Sequence, residues 1–261
     1  MPIKDLTRPY FPILNKDSSL AQGLVSMVAA PLPQDLVQGT IFTGVTDQRG
    51  FGGIGGVGFA ENAAAEAVRC TAPSRIRLTY PLTIATHVLF TAAPTTVIWG
   101  VTYDSAISDP FLAYAIGISS GQFAGQYNIS GPGGFRQVGI TITPVLWTLY
   151  SLIFTLSSDA TGNAQILYVN GVQSGTAGVE AGTITYGTNP IQSAGEPNSA
   201  GSGNANMIFY DGMVWNRILS TNERATLDRI SPWDLYWQPS NRAYAFFSSA
   251  AAAAGYLLVK N

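Results

Sequence analysis

The residues that could carry acid–base or nucleophilic chemistry are few, and histidine is the scarcest of them. His87 is the only histidine in a chain of 261 residues. A single imidazole excludes zinc sites built on two histidines, and any catalytic triad would depend on His87 alone. No sequence pattern places a nucleophile beside it. We therefore predict that His87 is a strand residue whose ring is satisfied by a neighbour, with contact to a ligand as the alternative.

Carboxylates are also sparse where glycoside hydrolysis would need them in pairs. Cleavage of a glycosidic bond uses two carboxyl groups that flank the scissile bond. The glutamates are scattered along the chain, at Glu61, Glu66, Glu180, Glu196 and Glu223. Glu223 has a structural explanation in helix capping. We predict that the protein is not an enzyme, and in particular that it does not hydrolyse polysaccharides.

Two predicted loops contain hard oxygen ligands of the kind that Ca²⁺ prefers. Asp104, Ser105 and Asp109 lie in one loop, and Asp159 and Asn163 in another. Such side chains can coordinate calcium, but Asp and Asn also occur in turns because they fit turn conformations. The turn interpretation is favoured. We predict no cofactor and assign no metal ligand, with bound calcium as the alternative.

Aromatic side chains at the two ends of the chain are candidates for partner binding. Tyr10 and Phe11 lie in residues 1–19, where three prolines favour an extended arm over a helix or a central strand. The C-terminal candidates are Trp233, Tyr236, Trp237, Tyr244, Phe246 and Phe247. Exposed aromatic area of this size marks interaction sites. We predict that these residues attach the protein to a partner, with packing of the tail on its own domain as the alternative.

Residues 204–237 contain the clearest local signals. Residues 207–215 are rich in aromatic and apolar types that fit a half-buried sheet, so they predict a central strand with one break at Asp211-Gly212. In the sequence Ser-Thr-Asn-Glu, the Ser220 hydroxyl can accept from the Glu223 amide while the Glu223 carboxylate accepts from the Ser220 amide. This capping box predicts a short helix near residues 221–230.

From residue 72 onward, strand-like segments alternate with turn clusters. Residues 82–90 would place one set of side chains on one face of a sheet and the other set on the opposite face. The first set is Leu82, Ile84, Val88 and Phe90, and the second is Thr83, Ala85, His87 and Leu89. Short strands at this spacing predict an all-β fold of two antiparallel sheets packed as a sandwich.

Three sequence segments resemble one family. Residues 216–223, Asn-Arg-Ile-Leu-Ser-Thr-Asn-Glu, fit the pattern N-R-x-L-S-x-x-E, which resembles the closing segment of the laminin-G-like, concanavalin A-like lectin/glucanase family. Residues 167–172, Leu-Tyr-Val-Asn-Gly-Val, resemble its L-Y-V-[ND]-G hairpin. Residues 20–25, Leu-Ala-Gln-Gly-Leu-Val, resemble the L-A-x-G-L-V opening of its phage and prophage members. The resemblance implies a concanavalin A-like jelly-roll sandwich with one short C-terminal helix.

The resemblance also bears on function. Residues 231–239 resemble the N-P-W-x-[LI]-[FY] exit of phage-encoded members. Glucanases of this family hold their catalytic carboxylates as E-x-D-x-x-E on one strand face, and the sequence contains no such run. Where many members carry a paired acidic dipeptide, this chain has Tyr210-Asp211. Neither the glucanase activity nor the metal role of the family is therefore expected.

Composition limits the classes of partner. With 46% hydrophobic residues the chain can form one large core. We predict an arm over residues 1–19, a sandwich domain over 20–238 and a tail over 239–261. Charged residues make up 11% of the chain and the net charge is −2, against about a quarter charged in an average globular protein. Such a surface suits contact with copies of itself and predicts no direct binding to nucleic acid.

Two function classes remain. The first is a phage virion structural protein, a capsid decoration or cement subunit that binds the major capsid protein and copies of itself through its terminal segments. The second is a carbohydrate-binding adhesion module of a phage tail or bacterial surface. No apolar run approaches the roughly 20 residues that span a bilayer, and residues 1–10 lack the features of a signal peptide. We therefore expect no membrane association, synthesis in the host cytoplasm and final location in the virion.

Overall fold

The predicted strands are arranged in two sheets in the computed structural model. The described residues are 17–30, 34–42, 47–50, 57–61, 69–71, 74–93, 97–102, 112–129, 135–157, 165–177, 183–186, 190–193 and 206–229. The strands are β1 Leu24–Ala29, β2 Asp47–Gly50, β3 Val57–Glu61, β4 Arg69–Thr71, β5 Leu82–Phe90, β6 Val97–Thr102, β7 Leu112–Ser119, β8 Gln122–Asn128, β9 Phe135–Gly139, β10 Leu149–Leu156, β11 Gln165–Val169, β12 Val172–Ala177, β13 Pro190–Ser193 and β14 Met207–Trp215. Helix α1 spans Thr221–Leu227, and short 3₁₀ helices span Ser19–Ala21 and Ser74–Ile76.

All strand pairings within the described ranges are antiparallel. Sheet one contains eight strands in the order β12-β11-β10-β5-β14-β3-β2, with β1 also paired to β14. Sheet two contains six strands in the order β4-β13-β6-β7-β8-β9. The prediction of a two-sheet antiparallel sandwich with a single short helix is confirmed for this part of the chain. The helix ends at Leu227, earlier than the predicted limit near residue 230.

The main core lies between the two sheets. Alternate side chains of β10 from sheet one meet those of β8 from sheet two, and the Tyr150 and Phe123 rings approach edge to face at 4.9 Å. At Gly125 of β8, an added Cβ would lie 2.3 Å from the Phe154 ring. The sheets are therefore packed closely enough that a side chain at this glycine would displace the ring.

Strand β14 is the centre of sheet one, as predicted. All nine of its residues are buried, and it pairs with β5, β3 and β1. The predicted break is a register shift between Phe209 and Asp211. Gly212 is required there because an added Cβ would lie 2.4 Å from the Trp99 indole of sheet two. The break thus lets a large aromatic side chain pack directly against the backbone of the central strand.

The two faces predicted for β5 are both present, and both are buried. The face with Leu82, Ile84, Val88 and Phe90 belongs to the core between the sheets. Its opposite face lies under a second apolar cluster that includes Leu20 from the N-terminal 3₁₀ helix and Leu227 from α1. Sheet one is therefore covered on its outer side by the two helical segments, which explains why a strand as polar as Thr-Ile-Ala-Thr-His is completely buried.

Candidate functional site

The start of α1 is held by the predicted capping box. The Ser220 amide donates to Glu223 Oε2 at 2.8 Å, and the Glu223 amide donates to Ser220 Oγ at 3.3 Å. Both hydrogen bonds of the motif are therefore present, and the prediction is confirmed. The box also accounts for Glu223 without any catalytic role.

Arg217 connects this capped helix to the start of the domain. Its guanidinium donates to both carboxylate oxygens of Glu223, at 2.7 and 2.8 Å. It also donates to the carbonyl oxygens of Ser19, at 2.7 Å, and Gln22, at 2.6 Å. Hydrogen bonds from Arg217, opposed by burial and aided by Ser220, lower the pKa of Glu223 to about 2. We call the contacts of Ser19, Gln22, Arg217, Ser220 and Glu223 the α1 junction.

The hairpin segment that resembles the family also meets α1. Asn170 and Gly171 both have positive φ, 50° and 75°, as a two-residue Asn-Gly hairpin turn requires. The Arg224 guanidinium of α1 lies 4.4 Å from the centre of the Tyr168 ring. An added Cβ at Gly171 would lie 3.0 Å from Asp228 Oδ2. All three family-like segments therefore converge on this helix.

His87 lies under the other end of α1 and is completely enclosed. Its Nδ1 is 2.7 Å from Asp211 Oδ2, and its Nε2 is 3.1 Å from the Leu227 carbonyl oxygen. The Asp211 Oδ1 atom accepts from the His87 amide at 3.0 Å, and the Asp211 carbonyl accepts from Thr86 Oγ1 at 2.6 Å. Burial acts to lower the pKa of His87, but the Asp211 carboxylate and the Leu227 carbonyl outweigh it, so the pKa is raised. The predicted structural role of His87 is confirmed.

The other sequence-predicted candidates are not brought into a site. Tyr127 and Tyr210 are buried, so neither offers an aromatic ring to a sugar. No group of three or more His, Cys, Asp or Glu side chains that could hold a metal occurs in the described ranges. Both candidate calcium loops lie outside those ranges. The eight terminal residues predicted to bind a partner, from Tyr10 to Phe247, also lie outside them, so that prediction is untested.

The outer face of sheet two carries an arrangement that the sequence analysis missed. Gln126 of β8 lies directly opposite Gln137 of the edge strand β9, and Asn128 follows two residues after Gln126 on the same face. The neighbouring outward positions on β7 and β8 are the buried small residues Ala115 and Ala124. We call this surface, bearing Gln126, Asn128 and Gln137, the amide face.

One amide of this face lacks a partner. Asn128 is only 1% exposed, and within the described part of the chain its Nδ2 has no hydrogen-bond partner. A buried unpaired NH₂ group costs about 1–3 kcal/mol, and such groups in native structures call for a specific explanation. Gln126 is 8% exposed, whereas Gln137 is exposed on the edge strand. Of the three amides of this face, Gln137 is therefore the exposed one.

The spacing in β8 could have revealed this face. Its sequence Gln-Phe-Ala-Gly-Gln-Tyr-Asn alternates apolar rings with small or amide residues. Phe123 and Tyr127 enter the core, so the alternation places Ala124, Gln126 and Asn128 outward. What could not be read from that pattern is the partner of Gln126, because strand register is set by non-local pairing.

A loop before β10 exposes three consecutive apolar side chains, Val145, Leu146 and Trp147. Trp147 is 57% exposed and has a φ of 61°, which is uncommon for a bulky residue. Its amide donates to the Phe90 carbonyl at 2.8 Å, and the Val145 amide donates to the Tyr150 hydroxyl at 2.8 Å. The loop is therefore fixed at both ends by the sandwich.

No family model matches the sequence, and no curated protein matches it. Solved structures do match. Domain 4 of AbnA, a GH43 extracellular arabinanase from Geobacillus stearothermophilus solved in complex with arabinotriose, has a TM-score of 0.58 and 13% identity, over 79% of this chain and 98% of that one. The binding domain of Paraclostridial Mosquitocidal Protein 1 has a TM-score of 0.57 and 15% identity, over 80% of this chain and 52% of that one.

A sialidase from Trypanosoma rangeli, solved with sialic acid, is also similar. Its TM-score is 0.54 at 16% identity, over 79% of this chain and 33% of the sialidase. The chain thus spans about a third of the sialidase and about half of the mosquitocidal protein's binding domain. At these identities the similarity concerns the fold alone. The chain therefore shares a β-sandwich fold with domain 4 of AbnA, with the binding domain of the mosquitocidal protein and with part of the sialidase.

Proposed function

We propose that this protein is a non-catalytic carbohydrate-binding module and that its amide face contacts the glycan. The observation that carries the proposal is the buried Nδ2 of Asn128, which has no partner among the described residues and lies beside the amides of Gln126 and Gln137. A carboxamide donates two hydrogen bonds and accepts others, so a row of amides can match the mixed donor and acceptor character of sugar hydroxyls. A sugar hydroxyl would supply the acceptor that Asn128 lacks.

The fold supports the same proposal. Domain 4 of AbnA, which this chain resembles over 98% of that domain's length, was solved in complex with arabinotriose. The outward positions beside the amides are the small residues Ala115 and Ala124, both of which are buried. Gln137 on the edge strand would contact the glycan first, and Gln126 and Asn128 would contact the deeper part.

The contacts of His87 and Glu223 support binding without hydrolysis. Both ring nitrogens of His87 are engaged by Asp211 and Leu227, and Glu223 is engaged by Arg217 and the helix start. Neither His87 nor Glu223 is therefore positioned to act as an acid or base on a ligand. We therefore expect no release of reducing sugar from any polysaccharide that the protein binds.

A glycan array followed by calorimetry on the highest-ranking glycan tests the proposal. Asn128→Ala and Gln126→Ala should each weaken binding by about tenfold or more, because each removes a buried hydrogen-bonding group worth about 1–3 kcal/mol. Gln173→Ala is the matched control, since Gln173 is an exposed amide on β12 of the other sheet. The proposal fails if no glycan binds, or if Gln173→Ala weakens binding as much as the two amide-face variants do.

We propose as a second candidate that the protein is a phage virion subunit, of the capsid decoration or cement type. The support comes from the sequence. Only 11% of the residues are charged, residues 20–25 resemble the L-A-x-G-L-V opening, and the Pro-Trp exit is followed by an aromatic tail. Its partners would be the major capsid protein and copies of itself, bound through Tyr10, Phe11 and the aromatic residues of the tail.

Co-sedimentation of the full chain with phage particles separates the two candidates. Under the virion proposal, the double variant Trp233→Ser, Trp237→Ser should no longer sediment with particles, whereas Asn128→Ala should sediment as the wild type does. Under glycan binding alone, neither variant would be found in particles at all. A double variant that still sediments with particles contradicts attachment through these two tryptophans.

A further inference from the structure

Both ring nitrogens of His87 face atoms that can only accept a hydrogen bond. Nδ1 is 2.7 Å from the Asp211 carboxylate oxygen Oδ2, and Nε2 is 3.1 Å from the Leu227 carbonyl oxygen. A neutral imidazole has a single N–H, so one of its nitrogens would place a lone pair against an acceptor. Opposite an ionised Asp211 carboxylate, the geometry is satisfied on both sides only by a ring that carries two protons.

We propose that His87 is a protonation-dependent latch, in which the imidazolium ties the last residue of α1 to the central strand of sheet one. The ring connects two elements that are far apart in sequence, since Asp211 belongs to β14 and Leu227 closes α1. Loss of one proton must break one of the two connections. The latch is independent of the amide face, which lies on the other sheet.

The charged groups around the ring favour its protonated form. From β14, Asp211 places one carboxylate oxygen against the ring and the other against the His87 amide. From the end of α1, the Asp228 carboxylate adds a second negative charge that acts on the ring. From β10, the residue opposite His87 is Ser151, which does not titrate near neutral pH. Burial alone lowers the pKa of His87, and the two carboxylates and the Leu227 carbonyl raise it above the ordinary value.

The connection that breaks on deprotonation is the one to the helix. The remaining proton stays on Nδ1, because the Asp211 carboxylate is the closer and charged acceptor. Nε2 then presents a lone pair to the Leu227 carbonyl, and the two repel. Because the folded-state pKa is raised, the link is complete below the ordinary histidine pKa of about 6.5 and is lost as the pH rises through the raised value.

Helix α1 is sensitive to this loss because it is short. Seven residues make about two turns, and helices of this length depend on tertiary contacts for their stability. Its first turn is held by the α1 junction, whereas its end is held by His87 and by the apolar contact of Leu227. Deprotonation should therefore loosen the last turn, from which the chain continues to the aromatic residues beginning at Trp233.

Nuclear magnetic resonance of the full chain tests the latch. The ring nitrogen shifts should show a doubly protonated His87 at about pH 6.5, where a free histidine is half neutral. The exchange protection of the α1 amides, corrected for intrinsic rates, should fall about tenfold as the ring titrates at higher pH. A neutral ring at about pH 6, or α1 protection that does not change through the ring's titration, would overturn the proposal.

His87→Gln and Ser220→Ala provide matched comparisons. Glutamine carries an amide at about the reach of Nε2 and does not titrate, so α1 protection in His87→Gln should no longer depend on pH in this range. Ser220→Ala weakens the other end of the same helix and should lower the protection of the α1 amides equally at every pH. The fall in protection that accompanies the titration of His87 should remain. The proposal is wrong if α1 protection in His87→Gln still falls with pH as it does in the wild type. Should His87→Gln fail to fold, the wild-type titration decides alone.

Discussion

The α1 junction and the amide face are both polar, yet they satisfy their polar groups in opposite ways. At the junction, Arg217 donates four hydrogen bonds to Glu223, Ser19 and Gln22, and the helix amides are capped. On the amide face, the Asn128 Nδ2 has no partner among the described residues. Polar groups that pair with one another inside the chain hold the fold together, whereas under our proposal the Asn128 donor bonds to a glycan.

The same contrast applies to the strands beneath. The outer face of sheet one is closed by α1 and the N-terminal 3₁₀ helix, and its polar residues His87, Asp211 and Thr83 all bond within the chain. The outer face of sheet two has small residues in the equivalent central positions, such as Ala115 and Ala124. Sheet one is therefore covered on its outer side by helical segments of the chain, and the proposed glycan contacts lie on the outer side of sheet two.

The largest expected effect is at the buried pair below α1. Asp211→Ala would leave the His87 ring without its carboxylate and should lower the free energy of unfolding by about 3–5 kcal/mol, measured by urea denaturation near neutral pH. Asp211→Asn is the control, because it keeps an acceptor for the His87 amide and should cost less. An Asp211→Asn variant as stable as the wild type would mean that the charge of Asp211 is unimportant, whereas equal losses would mean that the charge accounts for the whole effect.

Acid should weaken the α1 junction next. The pKa of Glu223 is lowered from 4.5 to about 2, so its contribution is complete above pH 4.5 and is lost as the pH falls toward 2. The contribution is at most about 2 kcal/mol, since Arg217 is partly exposed to solvent. Thermal unfolding of the wild type and of Glu223→Gln should converge over this range. If the difference in melting temperature between the two proteins stays constant between pH 5 and pH 2, Glu223 does not have this role.

A smaller loss is expected at the helix cap. Ser220→Ala removes the acceptor of the Glu223 amide and should destabilise the protein by about 0.5–2 kcal/mol, measured by chemical denaturation. Ser220→Asp is the control, because aspartate also caps helices and should recover most of the stability. If alanine has no measurable effect, the 3.3 Å hydrogen bond at this cap contributes nothing.

These contrasts also explain which features the sequence could predict. The capping box and β14 were predicted because their signals are local: four adjacent residues define the cap, and nine consecutive residues rich in aromatic and apolar types define the strand. The two faces of β5 followed from alternation alone. That both faces are buried could not be predicted, because the covering residues Leu20 and Leu227 are distant in sequence.

The candidate site was largely missed for the same physical reason. Gln126 and Gln137 become neighbours only through the register of β8 with β9, and the bond between His87 and Leu227 spans 140 positions. The sequence did predict that a neighbour would satisfy His87. The prediction that terminal aromatic residues bind a partner stays a prediction, since it concerns residues outside the described ranges.

The smallest expected change in stability, and the sharpest test of the contrast, is at Asn128. Asn128→Leu replaces the buried amide by an apolar side chain of similar size, which removes the unpaired NH₂ group. If that group serves a ligand and not the fold, the free energy of unfolding should change by less than about 0.5 kcal/mol or increase. Glycan binding should be lost at the same time, because the donor is gone.

The corresponding change at the junction separates the two kinds of polar group. Arg217→Leu also replaces a polar side chain by an apolar one, but it leaves Glu223 and two backbone carbonyls without their donor. It should therefore destabilise the protein clearly while leaving the glycan affinity of the folded fraction unchanged. A large loss of stability in Asn128→Leu would show that Asn128 supports the fold after all, and the amide face would then resemble the junction instead of differing from it.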